Sequence, residues 1–315
     1  MPIKPPRLQP GQTIAIIAPS SPLVAAANLE RAVEKLHALG FKTLLGRSVK
    51  HRHGFLAGTD RERAGDLMRA FTNPRVHAIL CVRGGHGATR LLPLLDYQVI
   101  AAHPKIFVGY SDVTALHCAI RQRANLVTFH GPMLNADFVT NQFPPFVRDS
   151  FFRTLMHPKP AGGIRGHVKG ISILRGGTAR GELIGGNLTV LCSLLGTPWQ
   201  PDFRRKLVFL EEINEAPYRV DRLLTQLLNA GLLQQAAGIA LGQCAGCTDA
   251  TAGKAREFRQ TLDDVLRERL LPLKLPVVSG LPFGHVRDNA TLPVGVRATL
   301  DARKGDLVIE AAAVK

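Results

Sequence analysis

No stretch of this chain approaches the ~18 uninterrupted apolar residues of a membrane-crossing helix, so nothing in it is expected to span a bilayer. The opening residues MPIKPPRLQPGQ carry positive charge and prolines but lack the apolar centre of a secretory signal, which points to the cytoplasm. Cysteines are few and odd in number. Cys81, Cys118, Cys192, Cys244 and Cys247 are widely spread, and three sit inside apolar runs, where a thiol packs as a small hydrophobe; no disulfide framework is readable. Cys244-Ala-Gly-Cys247 has the spacing of a redox pair or half a zinc knuckle, but no second pair follows to complete four ligands, so neither metal nor cofactor is expected. Acidic residues are also in deficit, 24 against 40 Lys and Arg, leaving a net charge of +16. That balance attracts polyanions or small acidic substrates. The arginines are scattered singly, without the basic stripe interleaved with aromatics of a single-strand binder, so nucleic acid is not the expected partner.

What is present is the composition of an ordinary globular protein, 45% apolar and 20% charged, with 14 Phe but one Trp. At 315 residues the chain exceeds the ~250 at which single cores stop growing, which predicts two domains. In the first half, apolar runs alternate with helical patterns. TIAIIAP (13 to 19), FKTLLG, VHAILCVRGG (76 to 85) and KIFVGYSD read as strands, and LERAVEKLHALG (29 to 40), RERAGDLMRAFTNP and VTALHCAIRQRA as helices. Such alternation predicts a parallel, doubly wound sheet with function at the carboxyl ends of its strands. Residues 157–180 are rich in Gly, Pro and Lys and are expected to connect an N-terminal domain, 1–156, to a C-terminal domain, 181–315. The second half mixes strands (KLVFLEE, AAGIALGQ, LPVVSG, DLVIEAA) with helices (NLTVLCSLLG, YRVDRLLTQLLNAG, TLDDVLRERLL).

Chemistry concentrates at three places. In VGYSDV, Ser111 follows an apolar run and precedes a helix, the context of a nucleophile elbow, although Val113 stands where the second glycine of GxSxG belongs. Ser111 or Asp112 could equally cap that helix. Upstream, Arg83-Gly84-Gly85-His86-Gly87 follows a strand at the same sheet edge; it lacks a Walker ending or GxGxxG spacing, and its N–H groups suit an oxyanion better than a phosphate. A serine nucleophile needs a base and an orienting carboxylate. Among eleven histidines, His285 in LPFGHVRDN sits in a loop right after a strand, and His130 in VTFHGP is its competitor. Glu211 and Glu212 end the strand LVFL and, by alternation, face opposite sides.

Seven collinear segments, APSSP (18 to 22), VRGGHGATRLLPLLD (82 to 96), VGYSDVTALH (108 to 117), TFHGPM (128 to 133), GGNLTVLCSLLGTPWQPD (185 to 202), LVFLEEINEAPYRVDRLL (207 to 224) and GLPFGHVRDNATLPVG (280 to 295), cover nearly the whole chain. Together they resemble the LD-carboxypeptidases, the murein tetrapeptide carboxypeptidase family of serine peptidases. The resemblance implies a flavodoxin-like N-terminal parallel sheet, a C-terminal α/β domain with a barrel-like sheet, and a homodimer. It implies Ser111 as nucleophile, Glu211 as acid and His285 as base. It also implies release of the terminal D-alanine from murein tetrapeptides. Asp112, which follows the serine at a helix start, and Gly85 are expected to supply the oxyanion N–H groups, and Arg83, His86 and Arg287, each beside one of these elements, are the candidate substrate contacts. Two departures stand out: His86 occupies a position that commonly holds tyrosine, and Cys244 one that is often aromatic. Within the family, a microcin C self-immunity peptidase acting on a peptidyl-nucleotide analogue is the alternative. A noncatalytic basic α/β binding module is the alternative of another class.

Overall fold

The computed structural model describes residues 1–139, 143–166, 170–248 and 260–315. Strands β1 (Thr13–Ile17), β2 (Lys42–Leu45), β3 (Val76–Cys81), β4 (Ile106–Gly109) and β5 (Thr128–His130) run parallel in the order β5-β4-β3-β1-β2. The interior strands β3 and β4 are buried along almost their whole length, as a parallel sheet requires when helices cover both faces. Those helices are α1 (Ala26–Ala38), α2 (Asp60–Thr72), α3 (Tyr97–Ala102) and α4 (Thr114–Arg123). In α1, Leu29, Ala32 and Leu36 recur at helical spacing and turn inward. The start of α2 is a capping box, in which the Thr59 hydroxyl accepts from the Glu62 N–H while Glu62 accepts from Thr59. A fifth helix, α5, spans Pro145–Met156.

The remaining strands form one eight-stranded mixed sheet. They are β6 (Pro160–Gly163), β7 (Ser172–Arg175), β8 (Thr178–Asn187), β9 (Leu207–Ile213), β10 (Gly238–Ala245), β11 (Val277–Leu281), β13 (Arg297–Asp301) and β14 (Asp306–Ala312). Their order is β6-β14-β13-β8-β9-β10-β11-β7, with β8 to β11 parallel. The sheet curls. Edge strand β7 starts beside the turn between β13 and β14, where Ile171 lies 2.8 Å from the position a Cβ on Gly305 would take. Helices α6 (Leu188–Ser193), α7 (Pro217–Asn229) and α8 (Leu262–Leu270) complete this half. The Gly- and Pro-rich stretch 157–180 is not merely connection, because β6 and β7 form the two edges of this sheet. Edge strands tolerate Pro and Gly because one side of their ladder has no partner to satisfy.

Two joints bind the sheets. Strand β12 (Leu292–Val294), far along the chain, pairs antiparallel with β5 and extends the first sheet to six strands. Where α4 meets the end of β8, the Thr114 hydroxyl accepts a 3.0 Å hydrogen bond from the Asn187 N–H, and Gly186 leaves no room for a side chain against Thr114.

Candidate active site

Ser111 sits where β4 ends and α4 begins, at φ 62°, a left-handed conformation that a non-glycine residue adopts only under constraint. The neighbours supply that constraint. A Cβ on Gly109 would lie 2.9 Å from Val113, so the first glycine of the elbow makes room for the side chain standing at the second. Val113 is fully buried there, which is how the turn is built without GxSxG. Neither Ser111 nor Asp112 caps the helix; the first turn and α4 lack any side-chain cap. Instead the Asp112 carboxylate accepts 2.8 Å from the N–H of Ala88, just past the glycine loop, and so ties that loop to the residue after Ser111.

The loop itself lies against the serine. A Cβ on Gly84 would sit 2.7 Å from the Ser111 Cβ and 2.9 Å from its Oγ, so only glycine fits. At Gly85, φ 109°, an added Cβ would lie 2.7 Å from the Ser21 Cβ and still nearer its hydroxyl, and the residue is exposed. Ser21 braces the loop from the other side: its N–H donates to the Gly84 carbonyl at 3.3 Å and its hydroxyl accepts from the His86 N–H at 3.1 Å. This role for Ser21 escaped the reading of the sequence, although APSSP follows β1 at the same carboxyl edge.

From the second sheet, Glu211 on β9 is wholly buried, and its Oε2 lies 2.7 Å from His285 Nδ1. Gly284 permits this contact, since a Cβ there would lie 2.8 Å from the Glu211 Cβ. Glu212 points the other way and accepts from the Asn187 amide, the Thr189 N–H and hydroxyl, and the Ile213 N–H. Glu215 pairs with Arg219 at 3.4 Å. The His285 ring packs edge-on against Tyr110, centroids 4.9 Å apart, which brings it beside the residue preceding Ser111. Among the described residues no direct hydrogen bond joins the Ser111 hydroxyl to the ring.

The electrostatics separate His285 from His130. Burial pushes its pKa down, but the hydrogen bond and charge of Glu211, with Glu212 and Asp137 behind, outweigh burial and hold it above the usual value. His130 is fully buried among Tyr110, Phe209 and Phe283, with both ring nitrogens unpartnered among the described residues, and burial drives its pKa well down. A second buried carboxyl near His285, Asp137, accepts from the Met133 N–H at 2.9 Å and is pushed up to about 6 by burial.

Arg83 is half-buried at the base of the glycine loop, Arg287 is exposed two residues past His285, and neither makes an ion pair among the described residues. His86 is exposed and lies edge-on to Phe55 at 5.4 Å. The five cysteines are free, and the Cys247 thiol donates to the Ala245 carbonyl at 3.9 Å. Among the described residues no cluster of three or more His, Cys, Asp or Glu is arranged to hold a metal, and no helix is long and apolar enough to cross a membrane.

This arrangement, a strained serine under a glycine loop and a buried carboxylate on a loop histidine, brings together the residue types that acyl transfer needs. Residues 14–131 match the family model of the LD-carboxypeptidase N-terminal domain and residues 180–300 that of the LD-carboxypeptidase C-terminal domain. The chain belongs to the LD-carboxypeptidase family. It is 39% identical to a probable murein peptide carboxypeptidase of Bacillus subtilis (strain 168), over 98% of this chain and 94% of that protein. Its fold is similar to the crystal structure of a muramoyltetrapeptide carboxypeptidase from Oxalobacter formigenes, with TM-score 0.83, 35% identity, and coverage of 95% of this chain and 99% of that one. It is also similar to the microcin C7 self-immunity protein MccF, known from Escherichia coli, in complex with glutamyl sulfamoyl guanosine: TM-score 0.87, 28% identity, and all of both chains covered.

Proposed function

We propose that the protein is a serine carboxypeptidase that hydrolyses the bond between an L-configured centre and the terminal D-alanine of murein tetrapeptides. The observation that carries this reading is the 2.7 Å contact between Glu211 and His285, set beside the Ser111 elbow and its glycine loop. His285 takes the Ser111 proton, Ser111 attacks the scissile carbonyl, and Glu211 holds the ring so that its other nitrogen faces the serine. The N–H of Asp112, in the first helical turn, and that of Gly85 stabilise the oxyanion. His285 then protonates the departing D-alanine amine, and water, deprotonated by the same ring, releases the acyl group from Ser111.

The substrate carries several carboxylates, and the net charge of +16 favours its approach. Arg83 and Arg287 are our candidates for holding the terminal carboxylate through a bidentate fork. The nucleophile belongs to a first part, 1–156, and the acid and base to a second, 181–315, in a cytoplasmic homodimer. Light scattering on the purified protein tests the dimer.

Likeness to MccF keeps hydrolysis of an aminoacyl sulfamoyl nucleoside as a second reading. The sole tryptophan does not favour it, because Trp199 is partly buried against the core. The deciding experiment offers purified protein three compounds: a tetrapeptide ending in D-Ala, its all-L counterpart and an aminoacyl sulfamoyl nucleoside. Release of D-alanine from the first alone supports the carboxypeptidase. Turnover of the nucleoside alone replaces it with the second reading.

A further inference from the structure

His285 stands in the connection 282–291, which leaves the second sheet at the end of β11 and enters the first at β12. The crest of that loop gives the ring no support, since Val286 and Asp288 are partly exposed and Arg287 is exposed. Its base is closed twice. The Ala290 N–H donates to the Pro282 carbonyl at 2.8 Å, and the Gly284 N–H donates to the side-chain oxygen of Asn289 at 3.1 Å. Asn289 is wholly buried, and this is the one hydrogen bond its side chain makes among the described residues; the amide Nδ2 has no partner there. A buried donor left unpaired costs stability, so no polar network of its own explains this side chain. What its oxygen holds is Gly284, on which the site closes. Gly284 directly precedes His285, has φ 103°, and lies so near β9 that an added Cβ would be 2.8 Å from the Glu211 Cβ and 2.9 Å from its Oε2.

We infer that Asn289 is a positioning residue for the base: its side-chain oxygen clamps Gly284 in the left-handed turn that sets His285 Nδ1 against Glu211 Oε2, and turnover depends on the clamp. This rests on the reading of Ser111, His285 and Glu211 as the working groups. The chain of contacts is short, 3.1 Å from Asn289 to Gly284, one peptide bond to His285, and 2.7 Å on to Glu211. Cutting the first link frees the backbone that carries the ring, and a displacement approaching 1 Å at a reacting group costs on the order of 10² in rate. It also changes what the ring feels. Around His285 stand Glu211 and Glu212 from β9, Asp137 from the turn 134–138, Tyr110 from the elbow and His130 from β5, with Arg287 and Asp288 on its own loop. Burial lowers the His285 pKa, and the Glu211 hydrogen bond comes first among the influences that raise it, so a loosened contact takes the ring back toward the ordinary value.

The test is Asn289→Ala beside Asn289→Asp, which keeps an acceptor oxygen for the Gly284 N–H. With a compound that the unaltered enzyme hydrolyses, Asn289→Ala should lower kcat by about 10- to 100-fold and leave KM within about twofold. The inflection of the pH–rate profile should move down toward the ordinary histidine value. Asn289→Asp should recover most of kcat and keep the inflection at or above that of the unaltered enzyme. A purely structural role would lower the melting temperature of both variants without moving the inflection; that result overturns the clamp, as does unaltered kcat in Asn289→Ala. NMR titration of the His285 ring, identified by its loss in His285→Gln, reads the same shift with no substrate present. Hydrogen exchange on the unaltered protein needs no variant at all: the Gly284 amide should be protected, and exchange at the rate of an open loop overturns the clamp even if neither variant folds. Failure of the unaltered enzyme to release D-alanine would count against the murein reading alone and leave the titration and exchange results standing.

Discussion

His285 Nδ1 and Glu211 Oε2 stand 2.7 Å apart, and the carboxylate is fully shielded from water while the ring keeps 15% of its surface exposed. The acid thus holds the ring through Nδ1, and Nε2 makes no hydrogen bond among the described residues. Because the base must be neutral, kcat/KM is expected to rise with pH through an inflection above the ordinary histidine value, as burial, which lowers the pKa, is outweighed by Glu211. Glu211→Gln removes the raising charge and leaves the burial. The inflection should move to lower pH and kcat should fall by about 10² to 10⁴, read from a pH–rate profile of the variant.

Ser111 holds a left-handed backbone, φ 62°, at the end of β4. Ser111→Gly should abolish D-alanine release while raising thermal stability by up to about 1 kcal/mol, since glycine adopts that conformation without strain. Calorimetric unfolding beside an activity assay checks both halves. Equal or lower stability would mean that the elbow is not strained.

Gly84 does not adopt a left-handed φ, so alanine is acceptable to its backbone but not to its neighbour. Gly84→Ala should push on the Ser111 side chain, and a displacement approaching 1 Å at a reacting atom costs on the order of 10² in turnover. The protein should remain folded by circular dichroism, with the loss in kcat.

Asp112→Ala deprives the buried Ala88 N–H of its acceptor, a cost of about 1 to 3 kcal/mol, and frees the glycine loop from the elbow. A fall in melting temperature together with a fall of about tenfold or more in kcat is expected. Asp112→Asn keeps an acceptor oxygen and should restore most of both, a rescue that a purely electrostatic role for the carboxylate would not allow.

The parallel sheet and most helices were legible because local rules govern them: apolar runs bounded by glycine and proline, and inward residues at helical spacing in α1. The ten-residue strand β8 was not legible. Its sequence TARGELIGGN is rich in glycine for a reason only the packed sheet reveals, as a Cβ on Gly181 would lie 2.7 to 3.0 Å from the Arg205–Leu207 backbone. Strand β12 was equally hidden, since three residues carry no periodicity and its partner β5 lies more than 150 positions earlier.

At the site, the sequence alone determined which residue types could do the work: a serine on an elbow, a glycine loop at the same edge, and a pair of glutamates pointing opposite ways. Alternation along a strand and the loop-after-strand pattern are properties of consecutive residues, so they can be read directly. Tertiary structure alone decided which histidine has a carboxylate and which is walled in by Tyr110, Phe209 and Phe283. It also turned Asp112 from a helix start into a tether on Ala88, and made Ser21 a brace. Each of these depends on a contact between segments far apart in the chain, and such contacts are set by how two sheets pack, not by the pattern within either.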